Sequence, residues 1–194
     1  MSGRAPAGVA VVLLALMVGC TSEDPPAGLP PSAPSTTETP TVTTTPAPTT
    51  PAETGAPTVP PVAQQQTPDG AAAFIQHYYV ILEYSWSVMD SAPLRALGDC
   101  LSCNNLSETI DSVAADGDRL EGGDVTIRSV QPNAVASDGS TTVDTLVSSA
   151  EQRIVAPDGT TRQVLGEAQE SLQFFFDLGW AGSTWTVTSI RIVE

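Results

Sequence analysis

The sequence contains no lysine. Its seven basic residues are all arginines, against 22 aspartates and glutamates, and the formal net charge at pH 7 is −15. Proteins that bind DNA or RNA neutralise phosphates with clustered lysines and arginines, so this composition excludes a nucleic-acid partner. Electrostatic docking to an anionic lipid surface is disfavoured for the same reason. The acidity favours solubility and repulsion from an anionic envelope, and the alternative is a site for a cation or a basic partner.

Histidine and cysteine, the usual ligands of a structural zinc ion, are also scarce. There is one histidine, His77, and the cysteines are Cys20, Cys100 and Cys103. A structural zinc site takes four ligands, which this set does not supply, so we expect no metal and no cofactor. The sequence has no glycine-rich phosphate loop and no nucleophile elbow for a catalytic serine, so we assign no catalytic residue.

The apolar run near the N-terminus is too short to cross a membrane. It covers Val9 to Val18, which is 10 residues, whereas a spanning helix needs about 20. It follows Arg4 and ends at Gly19-Cys20, the arrangement of a secretory signal peptide. This ending resembles the lipobox of bacterial lipoproteins, with Met17 where leucine is commoner. The resemblance implies that residues 1–19 are a lipoprotein signal peptide and that Cys20 is the lipid attachment site. The alternative is an ordinary or uncleaved signal peptide.

The segment after Cys20 has the composition of a disordered linker. Residues 21–66 contain 12 prolines, 12 threonines and no aromatic residue. Such a segment cannot bury enough apolar surface to offset the loss of chain entropy. We therefore predict that residues 20–66 are a lipid-anchored, disordered Pro/Thr-rich tether that folding does not need. A plain spacer is favoured over an O-glycosylated one. Residues 67–194 remain, enough for a single domain.

The first part of this domain has the apolar spacing of helices. Thr67 or Asp69 can cap a helix whose first turn contains Pro68 and which runs to about Met89. Apolar residues along it fall at three- and four-residue steps, which predicts one broad buried face. A short second helix is expected over residues 93–97, and a third over residues 104–115.

From residue 124 onward the pattern is that of strands separated by turns. Turn sequences at 137–140 and 157–159, each containing Asp-Gly, predict two hairpins. We expect four strands: one beginning at Val125 and others over 141–155, 161–178 and 184–193, the last with a bulge near Thr188 and Ser189. The predicted fold class is α+β, with three N-terminal helices packed on a curved four-stranded antiparallel sheet.

The order and lengths of these elements resemble the nuclear transport factor 2-like, or cystatin-like, cone fold. The chain also resembles an uncharacterised family of actinobacterial lipoproteins. The residues that carry this second resemblance are Thr67-Pro68-Asp69-Gly70-Ala71, Phe74, Tyr78-Tyr79, Pro93-Leu94, Leu97, Cys100 and Cys103. The resemblance covers residues 67–194 and the lipobox. It implies a cone-like domain outside the cytoplasm and transfers no activity and no catalytic residue.

Cys100 and Cys103 are the strongest local signal within the domain. Outside the cytoplasm, two cysteines at this spacing are usually oxidised, so we expect a structural disulfide. The alternative is a thiol–disulfide oxidoreductase with a reactive cysteine at a helix start. The segment before the pair has a helical pattern, whereas a thioredoxin unit would place a strand there, so the structural disulfide is favoured.

In cone folds a cavity lies between the first helix and the concave sheet. The candidate pocket residues are Tyr78, Tyr79, Leu82, Trp86, Phe175 and Trp185. We expect these side chains, with Phe74, to fill that space largely as core packing. An isomerase or cyclase of this fold would instead need a buried aspartate facing a tyrosine. Asp90, Asp99 and Asp177 are available, but each lies near a predicted turn or cap, where aspartate is common.

These observations predict a protein held by its N-terminal lipid on the extracytoplasmic face of the cell membrane. We expect its domain to bind a small ligand or an envelope protein without catalysis. The alternatives are an isomerase- or cyclase-type enzyme and a passive envelope component.

Overall fold

The helices predicted for the first part of the domain are present in the computed structural model, which describes residues 55–193. The helices are a 3₁₀ helix over Pro61–Gln64, α1 over Pro68–Val88, α2 over Ala92–Arg95 and α3 over Leu101–Ala115. The strands are β1 over Arg119–Gly122, β2 over Val125–Pro132, β3 over Ser140–Ser149, β4 over Gln152–Val155, β5 over Thr161–Gly166, β6 over Gln169–Ala181 and β7 over Thr184–Val193. Cys20 and the predicted signal peptide lie outside the described residues.

The ends of α1 are those that the sequence predicts. The Thr67 side chain accepts a hydrogen bond from the Gly70 backbone N–H at 3.0 Å, and Pro68 occupies the first turn. The helix ends where Met89 adopts a left-handed conformation, with φ of 55°. Helix α3 begins three residues earlier than expected, because the Cys100 sulfur caps it by accepting from the Cys103 N–H at 3.1 Å.

The strands form two antiparallel sheets. The larger has the order β2-β3-β6-β7, and the smaller has the order β1-β4-β5. The prediction of a single four-stranded sheet is therefore wrong, although the α+β composition and the N-terminal position of the helices are correct. The hairpin turns at 137–140 and 157–159 are both present.

The second sheet exists because two long predicted strands are each divided. The strand expected over 141–155 breaks at Ala150, whose N–H donates to the Asp124 carbonyl, while the Glu151 carbonyl accepts from the Gly123 N–H. Beyond this point β4 leaves the large sheet and pairs with β1 and β5. The strand expected over 161–178 likewise divides between β5 and β6. Strand β1 was not predicted from the sequence, because Leu120 is its one apolar residue.

The ordered fold begins before Thr67. The 3₁₀ helix places Ala63 in the core with no exposed surface. The indole Nε1 of Trp185, a side chain that is 1 % exposed, donates to the Gln65 carbonyl at 2.9 Å. The last residues of the predicted tether therefore pack on β7 and the start of α1.

The core lies between α1 and the inner face of the larger sheet. Alternating residues of the central strands, among them Val143, Val147, Phe176 and Leu178, point toward the helices and are buried. The bulge predicted near residue 188 is present, since Asp177 pairs with Ser189 and the next residue, Leu178, pairs with Val187. This extra residue lets both Trp185 and Ile190 face inward, as the sequence pattern requires.

The opposite face of the larger sheet is largely polar. Asp177 accepts from Thr142 at 2.8 Å and pairs with Arg191 at 3.0 Å, and the Arg191 guanidinium lies 5.5 Å from the centre of the Phe175 ring. Burial acts to raise the pKa of Asp177. The hydrogen bonds from Arg191 and Thr142, together with the arginine charge, outweigh burial and hold that pKa below its ordinary value.

A close backbone contact joins the loop before α3 to the larger sheet. The Val187 N–H donates to the Leu97 carbonyl at 2.9 Å, and Gly98 forms a bridge with Val187. A Cβ atom added at Gly98 would lie 2.6 Å from the Val187 carbonyl oxygen, a distance that Cβ atoms do not adopt. Glycine is therefore needed here for close approach. Cys100 and Cys103 follow directly and form a disulfide.

Candidate functional site

An open cavity of about 420 Å³ lies between the helices and the inner face of the larger sheet. Helix α1 supplies one wall, α3 a second, and strands β3, β6 and β7 the floor. The connection between β1 and β2 and the facing ends of β4 and β5 complete the rim. The small sheet that sequence analysis missed is therefore what borders the cavity on this side. Small-molecule sites in proteins have volumes of about 300–1,000 Å³, and this cavity falls in that range.

Four of the six candidate pocket residues lie together on the α1 wall. Tyr78, Tyr79, Leu82 and Trp86 all line the cavity, because their three- and four-residue spacing brings them to one side of the helix. The expectation that such side chains fill the space between helix and sheet is wrong, since the cavity is open. Phe74 lies in the core and does not line it.

The other two candidates do not line the cavity. Phe175 lies on the outer face of the larger sheet under Arg191, and its neighbours Phe174 and Phe176 face the cavity instead. Because the three phenylalanines are consecutive, the sequence shows no alternation that would indicate which of them face inward. Trp185 does face inward, but it packs against Trp180 and the segment before α1, away from the cavity.

Three aromatic rings form the deep part of the cavity wall. The ring centre of Phe176 lies 5.4 Å from that of Tyr78 and 5.8 Å from that of Tyr79, in edge-to-face arrangements. The Tyr79 hydroxyl shares a hydrogen bond of 3.1 Å with the buried Thr145 hydroxyl. Burial raises the pKa of Tyr79 to about 12, and the Thr145 hydrogen bond opposes this. Both tyrosines therefore stay protonated at neutral pH, since burial raises the pKa of Tyr78 as well.

Two residues that line the cavity each carry a buried polar atom with no hydrogen-bond partner among the described residues. The two atoms are the hydroxyl oxygen of Tyr78, a residue that is 1 % exposed, and the side-chain nitrogen Nε2 of Gln152. Gln152 begins β4 and packs across Gly123, where a Cβ atom would come within 2.6 Å of its Nε2. Sequence analysis missed Gln152 because its place at the rim depends on the small sheet.

Helix α3 supplies further lining residues that sequence analysis did not select. Ser102, Asn105, Leu106 and Thr109 recur at three- and four-residue steps and line the cavity. The amphipathic spacing of α3 places Leu106 on the inward face of the helix. It could not show that this part of the helix borders a void rather than packed core.

The charge on the cavity wall is low. Glu167, in the connection between β5 and β6, is the one charged lining residue in the part of the chain that the structure describes. Asp90, Asp99 and Asp177 lie elsewhere, so the described residues hold no aspartate facing a tyrosine in the cavity. His77 is also outside the cavity, and burial lowers its pKa. Within residues 55–193 no group of three or more His, Cys, Asp or Glu side chains could hold a metal ion.

The disulfide predicted for Cys100 and Cys103 is present at the start of α3. Its two Cα atoms lie 4.9 Å apart, and the cysteines are 7 % and 2 % exposed. The pair borders the core beneath Gly98 and does not line the cavity.

A family model described as "Family of unknown function (DUF6318)" matches residues 39–191. The chain belongs to the DUF6318 family. The expected membership of an uncharacterised family is thereby confirmed. The DUF6318 match includes the 3₁₀ helix and every cavity-lining residue except Ile192.

No curated protein matches this DUF6318 chain. Among solved structures it is similar to the intermembrane space region of chloroplast protein ARC6, with a TM-score of 0.47 and 13 % sequence identity. That similarity covers 66 % of this chain and 96 % of the ARC6 chain. Among residues 55–193, no helix has both the length and the apolarity needed to cross a membrane.

Proposed function

We propose that the DUF6318 domain binds a small apolar ligand in the cavity between α1, α3 and the larger sheet. The observation that carries this proposal is an open cavity of about 420 Å³ at a place where packing would otherwise be close. Protein interiors are normally packed as densely as organic crystals, and a large void forfeits contacts on all its walls. An occupant would restore those contacts.

The character of the wall supports an apolar occupant. Leucine, valine, isoleucine and aromatic side chains dominate it, including Leu82, Leu172, Phe174 and Ile190. Ligand sites in proteins combine such a lining with a few polar groups that fix orientation. Here Ser102, Asn105 and Thr109 of α3 supply the polar groups.

The binding test uses the fluorescent apolar probe N-phenyl-1-naphthylamine with the chain from residue 21 to residue 194, which keeps every described residue. We expect saturable binding of one probe per chain. Leu106→Trp, which fills part of the cavity from α3, should weaken binding at least about tenfold, because the void it fills is the proposed binding space.

The matched control is Leu101→Trp, the same substitution on the same helix. Leu101 is 79 % exposed and does not line the cavity, so this variant should bind the probe as the wild type does. Both variants are first compared by thermal melting. Binding that is absent in the wild type, or equally strong in folded Leu106→Trp, contradicts the proposed site.

We further propose that the protein is a lipoprotein anchored through Cys20 on the extracytoplasmic face of the membrane. This rests on the short apolar run that ends at Gly19-Cys20 and on the Pro/Thr-rich segment after it. The relation of this chain to actinobacterial lipoproteins is part of this proposal. Its similarity to the nuclear transport factor 2-like family remains a prediction. Cells fed a radioactive fatty acid should label the wild type and not Cys20→Ala. A wild-type chain that takes up no label would exclude the lipid anchor.

A further inference from the structure

The cavity continues into a groove of about 390 Å³ between α3 and β4. Asn105 and Thr109, which lie one turn apart on α3, line both spaces. Opposite them on β4, Gln152 borders the cavity and Ile154 borders the groove. Residues two apart on a strand point to the same face, so these two residues belong to one continuous wall. The cavity and the groove are therefore successive stretches of one cleft, which runs toward the C-terminal end of α3.

The two stretches of this cleft differ in polarity. Leucine, isoleucine, valine and aromatic side chains form most of the cavity wall. In the groove, α3 presents a row of polar side chains at three- and four-residue steps: Asn105, Glu108, Thr109 and Ser112. Asn105, Glu108 and Ser112 are exposed, so an occupant of the groove can reach them. A molecule that occupied both stretches would have an apolar chain in the cavity and a polar head in the groove.

The charged residues along the cleft are acidic. Within the part of the chain that the structure describes they are Glu108 in the groove and Glu167 at the cavity, and both are exposed and outside every ion pair. Arginines 95, 119, 153, 162 and 191 pair with carboxylates elsewhere in the fold, and Arg128 contacts Ser148 at 3.3 Å. A cationic head would therefore meet complementary charge, whereas an anionic head would meet like charge.

The hydrogen-bonding groups of the groove also suit a donor. The Thr109 hydroxyl donates to the Asn105 carbonyl at 2.9 Å, so its lone pairs remain to accept a hydrogen bond. The carboxylate of Glu108 accepts and does not donate. An ammonium group carries donors only, and it therefore matches these two neighbours.

We propose that the cleft binds an amphiphile with an ammonium head, whose carbon chain lies in the cavity and whose head lies in the groove beside Glu108. The inference rests on the proposed function and specifies the ligand class of the same site. The chain lies among the leucine, isoleucine and phenylalanine side chains of the cavity. The head stays at the solvent-exposed end of the cleft, where its charge need not be fully desolvated.

The test compares three compounds that share one carbon chain: decylamine, decanol and decanoate. Each displaces N-phenyl-1-naphthylamine from the chain of residues 21–194 at neutral pH, where the amine is protonated, and at low ionic strength. Decylammonium should bind about two- to fivefold more tightly than decanol, which is the effect of one exposed ion pair, and added salt should reduce this preference. Decanoate should bind more weakly than decanol, because its carboxylate meets like charge.

The variant Glu108→Gln separates the charge of the groove from the shape of the cleft. It should abolish the preference for decylammonium over decanol and leave the affinity for decanol unchanged. The matched control is Asp116→Asn, which removes one negative charge from the C-terminal end of the same helix. Asp116 is exposed and lines neither stretch of the cleft, so this variant should retain the preference. Glu167→Gln should reduce the preference less than Glu108→Gln does, because Glu167 borders the chain rather than the head.

The outcomes distinguish this inference from the proposed function. If the probe and decanol bind but decylammonium has no advantage, or if Glu108→Gln retains that advantage, the ligand class is wrong and the apolar site stands. Tightest binding of decanoate refutes a cationic head, and a larger loss of the preference in Glu167→Gln or Asp116→Asn refutes its place in the groove. If neither the probe nor any of the three compounds binds, the site itself is refuted.

Discussion

Removing the residues before Thr67 should destabilise the domain, although their composition predicts a dispensable linker. The relevant comparison is between a chain beginning at Gly55, which keeps the 3₁₀ helix, and one beginning at Thr67, which lacks it. Both keep the Thr67 cap of α1. A difference between them therefore reports the packing of residues 55–66 on the domain.

The size of the effect follows from two contacts. Without Gln65, the buried Nε1 of Trp185 loses its acceptor, which costs about 1–3 kcal/mol. Loss of the buried Ala63 and the partly buried Val59 adds about 1–2 kcal/mol at the usual value per methyl or methylene group. The expected total is about 3 kcal/mol, which for a domain of this size lowers the melting temperature by about 10 °C.

Thermal melting followed by circular dichroism measures the difference, and Trp185→Phe identifies its cause. In the chain from Gly55 this substitution removes a donor that is paired, whereas in the chain from Thr67 it removes one that is unpaired. It should therefore cost about 1 kcal/mol less in the shorter chain. Equal melting temperatures for the two chains, or equal costs of Trp185→Phe in both, would refute the packing argument.

Three further predictions follow from particular contacts. Gly98→Ala should lower the free energy of unfolding by about 1–3 kcal/mol in chemical denaturation. The control Gly166→Ala should change that free energy little, because a Cβ atom there meets nothing within 4 Å. Equal effects of the two substitutions would contradict the close approach at Gly98. The pKa of Asp177 is depressed in the folded state, so its stabilisation is present above about pH 4 and lost as pH falls through the folded pKa. In Asp177→Asn the acid-induced loss of stability should be shallower, by no more than about 1 kcal/mol for so exposed an ion pair, and an unchanged pH profile would contradict this. Thiol-specific labelling of the unreduced native chain should modify neither Cys100 nor Cys103, and labelling of either would argue against the disulfide.

The helices could be predicted from the sequence because local signals determine them. Thr67 and Pro68 mark the start of α1, and its apolar spacing selects the face that carries Tyr78, Tyr79, Leu82 and Trp86. The same spacing rules could not distinguish a wall of packed core from the wall of a cavity. That distinction depends on how far the facing sheet lies from the helix, which no local pattern encodes.

The second sheet could not be predicted because its cause is a long-range pairing. The alternation of apolar residues gives no signal at Ala150, the residue after β3 ends. The break is made by hydrogen bonds to Gly123 and Asp124, which lie between the predicted third helix and the strand expected from Val125. Missing this sheet also hid Gln152, a residue that lines the cavity. Phe175 was wrongly assigned to the cavity because both of its neighbours are also phenylalanines, so the sequence does not show which residues of β6 face inward.

The most direct test of the ligand site uses the three tyrosines of the chain, Tyr78, Tyr79 and Tyr84. Tyr78 and Tyr79 line the cavity, and Tyr84, on the same helix, does not. The chain of residues 21–194 is labelled with ring-¹³C tyrosine, its signals are assigned with single Tyr→Phe variants, and N-phenyl-1-naphthylamine is added in steps. We expect saturable shifts of the Tyr78 and Tyr79 signals, with the Tyr84 signal unmoved. A shift confined to Tyr84, or three unmoved signals at a saturating concentration of the probe, would contradict a ligand site in this cavity.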